Sequence, residues 1–261
     1  MSHRSTAALS AFVLGASILH GAAAAAPAAA APAPAKQLRN IVIVPGAFVD
    51  GSGWHVVHDI LSQKGYKVTV VQTRNDSLDE DIALTRRILF QQFGKVVLVG
   101  SGVGGMVITH AGTGAKVKSL VYVAALVPEV GESSGQLIDA NPAATRAIQA
   151  DFSGYRWFDR ARFHEDFAAD LTVNRANYMA ASQAPISQVY LGTPAYSAVW
   201  HQKPSYAIVA TRDRILNPDA QRMMYQRAHA KVVEMDASHV VYMSRPEEVA
   251  NVIERAANET F

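Results

Sequence analysis

The chain has no cysteine among its 261 residues. Disulfides, thiolate nucleophiles and cysteine-ligated metals are therefore excluded, and so is lipoprotein-type processing at a cysteine. Charge is also sparse. Only 18% of residues are charged and the net charge is +2, scattered rather than clustered, so nothing points to nucleic acid as a partner. No phosphate-binding loop and no metal-ligating cluster of histidines and carboxylates is visible, so no cofactor and no metal is implied. What remains is an ordinary globular composition, 49% apolar, long enough for one substantial core.

The first 35 residues read as separate from that core. Residues 1–4 make a short basic start, residues 7–19 an uncharged apolar run, and residues 22–26 offer small-x-small cleavage points. This is the pattern of a secretory signal peptide over 1–26. A single arginine, Arg4, argues against a twin-arginine signal. Residues 27–35, which include the run AAAAPAPA, form an Ala/Pro spacer, extended by its prolines. The expected mature domain spans 36–261 and is secreted or periplasmic, free of the membrane once the signal is removed. An uncleaved N-terminal anchor is the alternative. The oligomeric state is left open.

Within the domain, short β-branched runs alternate with helical spacing. Residues 40–44 (NIVIV), 66–72, 95–100 (KVVLVG), 119–125 (SLVYVAA), 205–211 and 231–235 read as strands. Helices are expected over 53–64, 77–93, 104–112, 218–228 and 246–257. Ser77 stands where it can cap the second of these, with Glu80 three residues on. The alternation predicts an α/β fold with a mostly parallel, doubly wound sheet. Residues 128–203 break the rhythm. They hold no comparable strand, contain helical stretches near 163–171 and 175–182, and are rich in aromatics, so they read as a helical cap inserted between two strands.

The run Gly100-Ser101-Gly102-Val103-Gly104-Gly105 joins a strand to a helix. That is the context of a nucleophile elbow, where G-x-Ser-x-G holds a serine on a strained turn between closely approaching backbones. Gly100 and Gly104 set the register and place Gly102 at the nucleophile position. Taking Ser101 as nucleophile would make Val99 and Val103 the flanks, which are too bulky. Gly100, Gly102 and Gly105 also spell G-x-G-x-x-G, but this is not the first strand and no acidic residue ends the next one, so a dinucleotide loop is disfavoured.

Asp213 follows the strand SYAIVAT, and His239 follows KVVEM. The order elbow, acid, histidine is that of an α/β-hydrolase. The backbone amides of Ala47, in the loop after the first strand, and Val103 are placed to form an oxyanion hole. The other eight histidines read as structural. Phe48, Trp157, Tyr178 and Trp200 are candidates for lining a substrate pocket.

On the stretches VIVPGAFVDGSGW, VVLVGSGVGGMVITHAG, VYVAALVPEVGES, FHEDFAADL, KPSYAIVATRDRILNP and ASHVVYMSRPEEVA, the chain resembles a bacterial family of small esterase-like α/β-hydrolases, related in outline to plant methyl esterases and hydroxynitrile lyases. The resemblance implies the α/β-hydrolase fold and a small carboxylic ester or acid as substrate or ligand. That family usually has His-Ser where this chain has Ser101-Gly102. Three readings follow. The chain is a ligand-binding protein that has lost its nucleophile; or the Asp213–His239 dyad acts as a general base without a covalent intermediate; or Ser101 supplies residual esterase chemistry.

Overall fold

The computed structural model describes residues 39–260. The signal peptide and the spacer expected over 1–35 lie outside them. The first half of the sheet region is built from strand β1 (Arg39–Val44), helix α1 (His55–Gln63), β2 (Lys67–Val70), α2 (Leu78–Gln91), β3 (Lys95–Gly102), α3 (Gly104–Ala111) and β4 (Val117–Ala125). An insertion follows, with α4 (Ser134–Ala140), β5 (Ile148–Ala150), β6 (Tyr155–Phe158), α5 (Phe163–Phe167), α6 (Val173–Ala181), β7 (Ile186–Ser187) and α7 (Gln188–Gly192). The chain then returns through β8 (Ser205–Ala210), α8 (Pro218–Arg227), β9 (Lys231–Met235), α9 (Val241–Ser244) and α10 (Pro246–Thr260).

Six strands form one parallel sheet in the order β2-β1-β3-β4-β8-β9. The central strands are apolar along their whole length because both faces are covered: Ile41–Val44, Val96–Val99 and Leu120–Ala125 are buried without interruption. A parallel sheet wrapped by helices on two sides demands such runs rather than alternation. This is the α/β-hydrolase fold expected from the pattern.

Two expectations are corrected. Ser77 occupies the N-cap position of α2, but its side chain makes no capping bond. The buried Asp81 reaches back instead and accepts the amides of Arg74 and Asn75. The second correction is the cap, which is not purely helical. It carries a small antiparallel sheet, β5-β6-β7. These strands are two to four residues long, too short to show a period. β5 pairs with β6 close by, but β6 is completed by β7 about 30 residues downstream, which local pattern does not report.

One cap segment ties the cap to the sheet's loops. Asp166, almost fully buried, accepts from Thr145, from Arg162 and, at 2.7 Å, from Arg214 of the loop after β8. Four residues on, Asp170 accepts from the amide and hydroxyl of Ser238 and from Ser244. Burial alone would raise both carboxyls. These hydrogen bonds outweigh it and hold both below the usual carboxylate range.

Candidate active site

Loops following β1, β3, β8 and β9 meet at the carboxyl ends of the strands, where α/β sheets place their sites. β3 turns into α3 through Val103 alone. Such a sharp turn brings backbones into contact: a Cβ at Gly100 would stand 2.6 Å from the Gly104 carbonyl oxygen, so a side chain there is excluded. Gly102 has φ +52, the left-handed region that L side chains resist. A Cβ built on it would lie 3.3 Å from His239 Nε2. The turn at 100–104 therefore has the geometry of a nucleophile elbow, and position 102 faces the histidine.

His239 Nδ1 lies 2.7 Å from Asp213 Oδ2. A carboxylate only accepts, so Nδ1 carries the proton and Nε2 is left as an acceptor towards Gly102. The ring packs edge-on against Phe167 at 5.2 Å. Asp213 is buried with all its capacity taken up. Oδ1 accepts the amides of Ile215 and Leu216, and Oδ2 accepts Gln221 Nε2 as well as the histidine. Gln221 was not singled out in the sequence. It is fully buried, donates also to the Leu216 carbonyl, and accepts the Ala210 amide. It thereby pins the acid loop to the end of β8. Its only sequence signal is a glutamine on the inward face of an otherwise polar helix.

The amides of Ala47 and Val103 meet no acceptor among the described residues, and both residues line the pocket over Gly102. The loop carrying Ala47 is fixed next door, where Phe48 donates its amide to the Ala184 carbonyl of the cap. The pocket holds about 130 Å³. A cavity of about 150 Å³ accommodates benzene, so the space suits a single small ring or a short chain. Its walls are aliphatic, among them Leu126, Ile138, Ile148, Ile186 and Leu191. At the rim, Arg156 is held by Gln188 at 2.7 Å.

The four residues expected to line a pocket are placed differently from one another. Only Phe48 lines this pocket. In β6 side chains alternate: Arg156 faces the pocket, so Trp157 faces outward, 37% exposed and bonded to Asp151. Tyr178 lies between the buried Ala176 and Ala180, hence on the outer face of α6, and is 70% exposed. Trp200 is buried elsewhere, stacked on His201 and donating to the Pro128 carbonyl. The cap phenylalanines 158, 163 and 167 form a mutually packed core beneath Phe48. Ser101 does not reach the pocket. Among the described residues its hydroxyl is buried without a hydrogen-bond partner and makes no hydrogen bond to His239 of the kind a nucleophile needs. Among the described residues no group of three or more histidines and carboxylates is placed to hold a metal, and no helix is long and apolar enough to cross a membrane.

Fold, elbow and the acid–histidine pair define the class. The chain belongs to the alpha/beta hydrolase family, whose model matches residues 41–252. More particularly, it is similar to the probable hydrolase R7 of Phoma sp., with 27% identity over 173 residues, covering 62% of this chain and 70% of that one. Among solved structures it shares its fold with a pyrethroid hydrolase from Sphingobium faniae JZ-2 (23% identity, 85% of this chain and 98% of the other, TM-score 0.73). Polyneuridine aldehyde esterase is also similar (18%, 84% and 99%, TM-score 0.71). So is tomato methylketone synthase I, solved with 2-tridecanone (16%, 86% and 99%, TM-score 0.75).

Proposed function

We propose that this is a secreted esterase-type α/β-hydrolase that binds a small apolar carboxylic ester or acid and lacks the serine of the covalent mechanism. The observation that carries this reading is Gly102, at φ +52 with its missing Cβ 3.3 Å from His239 Nε2. The remaining parts are in place: Asp213 and His239 as the base pair, and the free amides of Ala47 and Val103 for a developing oxyanion. An aliphatic pocket of this size supports a short acyl group as the recognised part. Without a nucleophile no acyl-enzyme forms, and serine-esterase turnover stays near background.

The test is a paired assay of p-nitrophenyl acetate and butyrate hydrolysis by this protein and by Gly102→Ser. The expected result is near-background release for the first and a rise of about 100-fold or more for the second, since nucleophile removal from a triad costs several powers of ten. Esterase-like rates in the unaltered protein would sink the reading. A folded Gly102→Ser that stays inert would do the same.

A second reading rests on the unengaged His239 Nε2. In it the dyad takes a proton directly from a water, whose oxygen attacks the bound carbonyl, while the amides of Ala47 and Val103 hold the resulting oxyanion. Turnover of this kind vanishes in His239→Ala and leaves no labelled serine with a fluorophosphonate. Labelling at Ser101 would restore the reading in which that hydroxyl reacts.

A further inference from the structure

Phe48 has two sides. One lines the pocket over Gly102, and the other lines a separate cleft of about 560 Å³. Loop residues 49–53, His55 at the start of α1, helix α6 and helix α9 enclose this cleft. Its lining divides by chemistry. Tyr178, Met179, Tyr242 and Met243 offer aromatic and thioether surface. Arg175 stands among them, exposed, and among the described residues its guanidinium makes no ion pair or hydrogen bond, whereas eight other arginines form ion pairs. The one carboxylate of the lining, Asp50, already accepts the amide and hydroxyl of Ser52. The cleft floor is firm, because Tyr242 stacks on Trp54 with centroids 4.2 Å apart and planes within 2°.

We propose that this outer cleft is a second ligand site that takes a planar aromatic anion, its ring against Tyr178, Met179 and Met243 and its acid group on Arg175. Methionine sulfur and tyrosine rings favour an aromatic face, and a free guanidinium favours a carboxylate over any neutral group of the same shape. The volume admits a fused two-ring system, which the pocket over Gly102 does not. Phe48 is the partition between the two spaces. The proposal does not depend on what Gly102 does, since no residue of the elbow or the dyad borders the cleft, and the loop after β1 reaches it only from Phe48 onward, past Ala47.

The experiment titrates the intact protein with 2-naphthoate and with neutral 2-naphthamide, read by calorimetry. The expected result is saturable one-to-one binding with the acid bound more tightly. Arg175→Gln weakens 2-naphthoate about fivefold, the scale of a solvent-accessible charge pair, and leaves the amide within twofold. Tyr178→Ala weakens both. Both positions are exposed, so both variants are expected to fold, and circular dichroism verifies this. Absence of saturation up to the solubility limit overturns the proposal. So does affinity indifferent to Arg175, or an equal loss for acid and amide, because the guanidinium would then not be reading charge.

Discussion

His239 Nδ1 and Asp213 Oδ2 are 2.7 Å apart, and the same carboxylate oxygen accepts Gln221 Nε2 at 2.9 Å. The acid is thus held from two sides, one of them by a residue that never faces the pocket. Gln221→Leu removes that donor and leaves the Leu216 carbonyl and the Ala210 amide unpaired. The expected cost is about 1–3 kcal/mol of stability, the range for stranding buried polar groups. Urea unfolding of the variant measures it. A loss below 0.5 kcal/mol (about the spread of an ordinary surface change) would show that the glutamine holds nothing.

Glycine suits the backbone at position 102. Gly102→Ala places a Cβ at φ +52, 3.3 Å from His239 Nε2. Destabilisation of about 1–2 kcal/mol is expected from the left-handed backbone alone. Gly102→Ser carries the same strain, so a serine variant that gains esterase activity melts below the parent protein. Calorimetric melting of all three checks this. A serine variant that is both active and more stable would contradict the strain argument.

Much of the molecule was legible from one-dimensional pattern because the central strands are buried on both faces. Runs such as KVVLVG and SLVYVAA announce a parallel sheet with little ambiguity. The elbow, Asp213, His239 and Ala47 were equally legible, since each sits immediately after a strand, and the sheet carries such positions to one end. The cap was not. Its strands are two to four residues long and one pairing joins segments about 30 residues apart, and its aromatics are read correctly only once the alternation of β6 and the faces of α6 are known. Aromatic richness suggested a lined pocket. In the fold Phe158, Phe163 and Phe167 pack on one another, Tyr178 faces the outer cleft, and aliphatic residues such as Ile186 and Leu191 line the space over Gly102. Gln221, Asp166 and Asp170 were invisible for a related reason. Their importance lies largely in partners up to 74 residues away.

His110 supplies a pH prediction. Its ring is fully buried, Nδ1 against the Met106 carbonyl and Nε2 accepting the Tyr196 amide. Burial holds its pKa below the ordinary 6.5. The unfolded chain therefore binds this proton more readily than the folded one. The contribution to stability is complete above about pH 6.5 and is lost as pH falls through the lowered folded value. Protonation would also forfeit the bond from Tyr196. Urea unfolding at pH 7.5, 6 and 5 is expected to show the stability gap between the parent and His110→Asn narrowing towards acid. A gap independent of pH would remove His110 from the acid response.

The carboxylate of Asp166 bridges Arg162 and Arg214 while itself nearly inaccessible. Asp166→Asn keeps the shape and removes the charge that both guanidinia answer. The arginines are themselves about two-fifths exposed, so solvent recovers part of the loss, and a cost of about 1–2 kcal/mol is expected. Limited proteolysis within residues 141–146 should accelerate, because Arg214 also accepts the Thr145 amide. Unchanged cleavage there would separate the ion pair from the cap's attachment.

Asp166 grips the loop that carries Asp213, and Asp170 grips the loop that carries His239. Both come from one nine-residue stretch, FHEDFAADL. This stretch makes the cap and the Asp213–His239 pair a single inheritable unit. A chimera that imports another family member's cap inherits foreign anchors for both loops at once. Such recombinants are expected to keep the Asp213–His239 contact only when positions 214, 238 and 244 are exchanged together with the cap.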